Sequence, residues 1–132
     1  MRLRVIFYCL LLSVLASTLA LAQRKGSVRQ AVVRVTPTNW HGQCPHTFQF
    51  AGRLNAGAPG TVYYTWVQSD GESSPRQSTT FGAAGQSHEL HHQWTPKPAL
   101  GTHGALYHGW VRLDVEGGPH SAPARFELQC RK

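Results

Sequence analysis

The chain has 132 residues, 41% hydrophobic and 14% charged, with 13 Lys and Arg against 6 Asp and Glu for a net charge of +7. This length suits one domain. The basic residues are dispersed, apart from the pairs Arg24-Lys25 and Arg131-Lys132, so no basic patch of the kind that binds nucleic acid is present in the sequence. We therefore expect no nucleic-acid partner.

The N-terminal segment has the three parts of a secretory signal peptide. Two arginines precede an apolar run from Val5 to Ala16, and Ala20-Leu21-Ala22 has the small residues that signal peptidase reads. The run is shorter than the roughly 20 residues that span a bilayer, which makes a membrane anchor the weaker alternative. We predict a signal peptide over residues 1–22 and a periplasmic or secreted domain over residues 23–132, without a stable membrane anchor.

Removal of that segment takes Cys9 with it and leaves Cys44 and Cys130 in a domain of 110 residues with a net charge of +5, since Arg2 and Arg4 are also lost. An even pair of cysteines in an exported domain indicates one disulfide. Two buried free thiols are the alternative.

The rest of the chain has no segment of helical period, and clusters of turn-forming residues recur every ten to fifteen residues. This pattern is typical of a sandwich of short strands. We predict seven strands, near residues 28–36, 46–54, 61–69, 77–81, 87–95, 105–115 and 121–130.

Alternation along these strands predicts which side chains face the core. The first strand carries Val33 and Val35 and ends at Pro37. The expected inward residues of the later strands are Phe48, Phe50 and Leu54, then Val62, Tyr64 and Trp66, then Leu90 and Trp94, then Val111, Leu113 and Val115, and finally Ala122, Ala124, Phe126 and Leu128.

Strand direction supports the disulfide. In an up-and-down order the second strand begins at the end of the sandwich where the seventh strand stops. Cys44 lies at that beginning and Cys130 at that stop, both in the inward phase. The two cysteines are therefore expected within bonding reach.

Several motifs resemble a known family. They are Cys44-Pro45-His46-Thr47-Phe48-Gln49-Phe50, the segment from Gly60 to Gly71 (GTVYYTWVQSDG), Trp94, Trp110-Val111-Arg112-Leu113-Asp114-Val115, and Phe126-Glu127-Leu128-Gln129-Cys130. The chain resembles small exported immunoglobulin-like domains of bacteria, whose members read C-P-x-T-F-x-F and end in F-x-L-x-C. The resemblance implies an all-β, seven-strand immunoglobulin-like β-sandwich after a cleaved signal peptide, with no agreed catalytic residues. In antibody domains the bridge crosses the core beside a tryptophan, whereas here it reaches the last strand, so contact between Trp66 and the bridge is not implied.

All eight histidines fall in the predicted domain. On a strand, His88 and His92 share a face but lie about 13 Å apart at roughly 3.3 Å per residue, and His91 faces the other way. A metal site would need a further ligand such as His103, His108 or His120. Histidines exposed to solvent are the simpler interpretation, and we expect no metal or other cofactor.

Catalytic patterns are weak. Asp70-Gly71-Glu72 offers carboxylates, but calcium or a glycosidase mechanism would need further oxygen ligands or a second carboxylate at a defined distance. The sequence contains no Gly-x-Ser-x-Gly nucleophile elbow. We therefore expect a protein that is not an enzyme and has no catalytic residues.

Three aromatic residues are candidates for binding. Tyr63 and Trp110 have the outward phase of their strands and Trp40 falls in a predicted loop, where aromatic side chains can stack on sugars or bind a protein. Packing at the rim of the domain is the alternative. The sequence thus favours an exported, non-catalytic immunoglobulin-like module that binds an unidentified envelope or extracellular protein or has a structural role there. A carbohydrate-binding sandwich and a His-rich periplasmic metal-binding protein are the alternatives.

Overall fold

The structure is a computed structural model that describes residues 24–97, 104 and 106–131. The predicted signal peptide, Gln23 and His103 lie outside the described residues. Eight strands follow one another, namely β1 (Ser27–Thr36), β2 (Asn39–Gly42), β3 (Phe48–Ala58), β4 (Gly60–Gln68), β5 (Gln77–Phe81), β6 (Ser87–Trp94), β7 (Leu106–Val115) and β8 (Ala124–Cys130). Over this part of the chain, we find no helix with the length and apolar character needed to cross a bilayer.

The strands form two sheets. One has three strands in the order β1-β3-β6, and the other has five in the order β2-β8-β7-β4-β5. All pairings are antiparallel except that of β2 with β8. The all-β class and the sandwich of two sheets are thereby confirmed.

The predicted count of seven strands is wrong, because the described residues contain an eighth, β2. Its four residues lie between Pro37 and Cys44 and have no strand-like alternation of their own. They become a strand because they pair with β8, from Asn39 opposite Glu127 to Gly42 opposite Cys130. Pairing with a distant strand here outweighs local sequence preference.

The additional strand does not change the direction of the strands that follow it. β1 is antiparallel to β3, the disulfide places the start of β3 beside the end of β8, and β2 is parallel to β8. β1 and β2 therefore run in the same direction in different sheets. β2 therefore continues β1 after a crossing between the sheets. The predicted direction of each later strand remains correct for this reason.

The core lies between the two sheets and consists of most of the predicted inward residues together with Val28, Ala31, Ala56 and Phe81, which were not predicted. Trp66, Phe48, Phe50, Leu54, Val111, Leu113, Phe126 and Leu128 are almost completely buried, and Val62, Tyr64, Leu90, Trp94, Val115 and Ala124 are buried with them. Val33 and Val35 are half-buried against this core. Ala122 was predicted to face inward but is exposed, because β8 begins only at Ala124.

Two glycines allow buried rings to approach the backbone. A Cβ atom on Gly52 would lie 2.8 Å from Cη2 of Trp66 and 2.7 Å from Cδ1 of Leu113. A Cβ atom on Gly109 would overlap the ring of Phe126. The missing side chains thus create the space that Trp66 and Phe126 occupy.

The predicted disulfide between Cys44 and Cys130 is present, with a Cα–Cα distance of 5.5 Å and a sequence separation of 86 residues. It joins the β2–β3 connection to the last residue of β8. Both cysteines are half-buried against the core. The bridge therefore fixes one end of the sandwich.

Candidate binding site

A groove lies on the outer face of the five-stranded sheet, where β2, β8 and β7 are neighbours. Across this face Trp110 pairs with Arg125, His108 pairs with Glu127, and Asn39 also pairs with Glu127. The groove has a volume of about 670 Å³ and is lined by Thr38, Asn39, His108, Gly109, Trp110, Arg125, Phe126 and Glu127. We call it the Trp110 groove.

The Trp110 ring is held from one side. The guanidinium carbon of Arg112 lies 5.4 Å from the ring centroid. Arg112 is in turn fixed by an ion pair with Asp114, whose Oδ1 lies 2.8 Å from its Nε. The half-buried indole therefore has a cation over one face and lines the groove.

The groove is lined by several polar side chains. Asn39 and Arg125 make no side-chain hydrogen bond to another residue in the part of the chain that the structure describes. Nδ1 of His108 lies 3.7 Å from Oε1 of Glu127, too far for a hydrogen bond. An indole thus lies beside an amide and a guanidinium without a side-chain hydrogen bond among the described residues, and beside the His108–Glu127 pair.

Tyr63 lies in a second cluster. Its ring, 38% exposed, is covered by Arg76, whose guanidinium carbon is 3.6 Å from the centroid. Arg76 donates two hydrogen bonds to Glu116, at 2.7 and 3.1 Å, which lower the pKa of that carboxyl and raise the pKa of Arg76. One face of the Tyr63 ring is therefore already occupied.

Tyr63 and Trp110 do not form one patch. Glu116 donates its backbone N–H to Tyr63, and Ser69 donates its backbone N–H to Trp110. Trp110 therefore lies beside Ser69, just after β4, whereas Tyr63 lies within β4. These positions are six residues apart, about 20 Å at roughly 3.3 Å per residue. Trp110 and Tyr63 therefore line two separate grooves, and the one beside Tyr63 has a volume of about 440 Å³.

Trp40 is placed differently from the prediction. It lies in β2, half-buried, and its ring stacks on His46 with centroids 4.0 Å apart and planes at 8°. His46 also meets the edge of Phe48 at 4.9 Å. The pairing of β2 with β8 turns Trp40 toward the domain, so it packs within the fold and is no exposed loop aromatic.

The interpretation of the histidines as solvent-exposed is wrong for His46, His88 and His92, which are half-buried, and the last two lie between the sheets. His92 stacks on Trp66, with centroids 5.1 Å apart and planes at 12°, and its Nε2 lies 3.1 Å from Gln68. Burial lowers the pKa of His92. The alternation that places Leu90 and Trp94 inside also places His88 and His92 inside, so this signal was in the sequence.

His88 is held in the same way by its neighbours. Its ring stacks on Phe81 at 4.4 Å, and Nδ1 shares a hydrogen bond of 2.7 Å with the Thr79 hydroxyl. His120 lies 2.9 Å from Asp114. Within the described ranges, no three His, Cys, Asp or Glu side chains come together in a group that would hold a metal ion.

The segment Asp70-Gly71-Glu72 lies in the turn that follows β4. The Asp70 carboxylate accepts the backbone N–H of Glu72 at 2.9 Å, and Gly71 has a φ of 90°. A positive φ favours glycine, which explains the residue at this turn. The Asp70 carboxylate thus has a structural partner.

The strand β6 has one free edge. All eight of its residues pair with β3, and no described strand pairs with its other side. Ala56 donates its N–H to Gln86 at 2.8 Å, so the backbone bonds to β3 fall on the even-numbered residues. The backbone groups of Ser87, Glu89, His91 and Gln93 therefore point to the free edge.

Comparisons with known proteins support the fold. The sequence matches no protein-family model and no curated protein. Among solved structures, the CARDB domain of a Pyrococcus furiosus protein, solved in complex with di-metal ions, is 11% identical with a TM-score of 0.51 over 81% of this chain and 99% of that domain. At this identity the likeness concerns the fold alone, an immunoglobulin-like β-sandwich.

Two further solved structures have TM-scores below 0.5. The alkylpurine DNA glycosylase AlkC of Pseudomonas fluorescens, bound to DNA containing an abasic site analogue, is 16% identical with a TM-score of 0.49 over 76% of this chain. This chain spans only 30% of that glycosylase. The PKD domain of an M14-like peptidase from a Thermoplasmatales archaeon is 17% identical with a TM-score of 0.39, over 84% of this chain and all of that domain.

Proposed function

We propose that this chain is an exported, non-catalytic immunoglobulin-like module that binds another envelope or extracellular protein by strand addition to the free edge of β6. The observation that carries the proposal is the row of backbone N–H and C=O groups at Ser87, Glu89, His91 and Gln93, which no described strand uses. An extended segment of a partner gains main-chain hydrogen bonds at such an edge.

The sequence of β6 leaves this edge unprotected. Exposed edges are usually blocked by proline, lysine or a bulge, because they invite pairing with other chains. Residues 87–94 contain neither proline nor lysine, and their register with β3 is continuous. Glu89, 3.2 Å from Arg53, is the only carboxylate on the strand.

Export is supported by the predicted signal peptide and by the disulfide. Disulfides persist in oxidising compartments and are rare in the cytosol. A function by binding is supported by the CARDB-like fold and by the absence of a nucleophile elbow from the sequence. The di-metal ions of the CARDB structure are a property of that protein, and the described histidines here give no matching ligand group.

The test is a crosslinking pull-down from the native envelope. The bait is the protein expressed in its native host and purified in the processed form that the host produces. Mass spectrometry of its N-terminus checks cleavage after Ala22. His91→Pro removes an edge N–H without removing a bond to β3, and the matched control His91→Thr keeps the N–H. We expect wild type and His91→Thr to capture the same partner, and His91→Pro to capture at least tenfold less.

The fold of His91→Pro is checked by its urea midpoint, and Glu89→Pro replaces it if it does not fold. Light scattering shows whether the partner is a second copy of this chain. Equal capture by His91→Pro would refute strand addition at β6. Hydrolysis of a substrate at a rate abolished by one point mutation would refute a non-catalytic role.

A further inference from the structure

The Trp110 groove belongs to the five-stranded sheet, whereas the β6 edge belongs to the three-stranded sheet. The two surfaces therefore do not share a strand. What the groove binds is a separate question from which protein adds a strand to β6.

The groove combines an aromatic ring with polar groups that can both donate and accept. A pyranose sugar has an apolar face of C–H groups and a rim of hydroxyls, and its C–H groups are attracted to the negative face of an indole. Arg112 lies over one face of the Trp110 ring, 5.4 Å from the centroid, so a sugar would stack on the opposite face.

The hydroxyl rim of a sugar has matching partners around the ring. The Asn39 amide donates and accepts, the Arg125 guanidinium donates in a planar fork, and the Glu127 carboxylate accepts. These three side chains come from two neighbouring strands and surround the same groove. Its volume of about 670 Å³ falls within the roughly 300–1,000 Å³ of small-ligand sites.

The charge of the groove favours a neutral ligand. Arg125 and Glu127 lie two positions apart on β8 and face the same side of the sheet, so their charges offset each other. A polyanion such as nucleic acid would meet the Glu127 carboxylate as well as the guanidinium. A neutral sugar chain can use both groups as hydrogen-bond partners.

We propose that the Trp110 groove binds a neutral oligosaccharide, with Trp110 as the stacking platform and Asn39, Arg125 and Glu127 as partners of its hydroxyl groups. This assignment adds a ligand site to the proposed module and does not depend on strand addition at β6. It also separates the two aromatic candidates, since Tyr63 lies beside Arg76 and outside the groove.

The test screens the purified protein on an array of neutral oligosaccharides and measures the hits by calorimetry. Trp110→Ala and Asn39→Ala remove groove contacts, and Tyr63→Ala is the matched control because it removes the other outward aromatic. We expect Trp110→Ala to weaken binding at least tenfold, Asn39→Ala to weaken it several-fold, and Tyr63→Ala to leave it unchanged. Amide shifts should centre on residues 108–110 and 125–127 in an NMR titration with the best hit.

Three results would overturn the assignment. One is the absence of any array hit together with no amide shift at millimolar cello- or chito-oligosaccharide. Another is wild-type affinity in both Trp110→Ala and Asn39→Ala. The third is capture of a protein partner that is lost in Trp110→Ala while no sugar binds. His91→Pro must retain sugar binding, which keeps failure of this assignment distinct from failure of strand addition at β6.

Discussion

Removing the disulfide should destabilise the domain by a large share of its total stability. The bridge closes a loop with a sequence separation of 86 residues. The loop-entropy relation for such a loop gives about 4.6 kcal/mol at 25 °C as an upper value, and typical measured values are about 2–4 kcal/mol. Small domains have about 5–15 kcal/mol in all. We expect the Cys44→Ala, Cys130→Ala double variant to lose about 2–4 kcal/mol.

The assay is urea unfolding of the oxidised wild type and the double variant, followed by circular dichroism. A loss of this size corresponds to a fall in Tm of about 8–16 °C for a domain of this length. The m-value should rise in the variant, because an unfolded chain without the crosslink exposes more surface.

A loss below about 1 kcal/mol, with an unchanged m-value, would refute the reasoning. It would mean that the ladder between β2 and β8 restrains the chain end without help from the bridge. Replacement of both cysteines is essential to the design, since a single substitution leaves a reactive thiol that can pair between molecules.

The other predictions concern the core. Burial lowers the pKa of His92, so the unfolded chain takes up a proton near pH 6.5 while the folded chain resists it, and the free energy of unfolding should fall as the pH drops below about 6.5. His92→Phe should reduce this fall between pH 7.5 and 5.5 in urea titrations, and an unchanged pH dependence would contradict the role of His92. Gly52→Ala should cost about 1–3 kcal/mol because its Cβ would overlap Trp66 and Leu113. In the same assay, Gly82→Ala should be nearly neutral, since only Gln86 lies within 4 Å, at 3.7 Å, and equal midpoints for the two variants would contradict the packing argument.

Much of the fold could be predicted from local alternation. Strands such as β4 carry Val62, Tyr64 and Trp66 on one face, and period-2 burial follows directly from strand geometry. The strand β2 could not be predicted, because its four residues become a strand only through contact with β8, which lies almost ninety residues further along the chain. Non-local pairing of this kind leaves no mark in the sequence of the shorter partner.

The candidate site was predicted only in part. The outward phase of Trp110 was readable from its strand, but its neighbours Asn39 and Glu127 meet only through the pairing of β2 with β8. The alternation of side chains along the strands places Tyr63 and Trp110 on the same face of the sheet. Alternation does not give the distance between two residues along that face. The β4–β7 register supplies that distance and separates the two residues.

The disulfide and the Trp110 groove are connected through β2. One wall of the groove, Thr38 and Asn39, precedes the bridge by only a few residues. Glu127 donates its N–H to Thr38 at 2.9 Å, and Arg131 donates its N–H to Gly42 at 2.7 Å, so hydrogen bonds attach both ends of β2 to β8. A strand of four residues at a sheet edge is a weak element by itself. The bridge at Cys44 holds the chain immediately after that strand, and it therefore contributes to a fixed groove wall as well as to the stability of the sandwich.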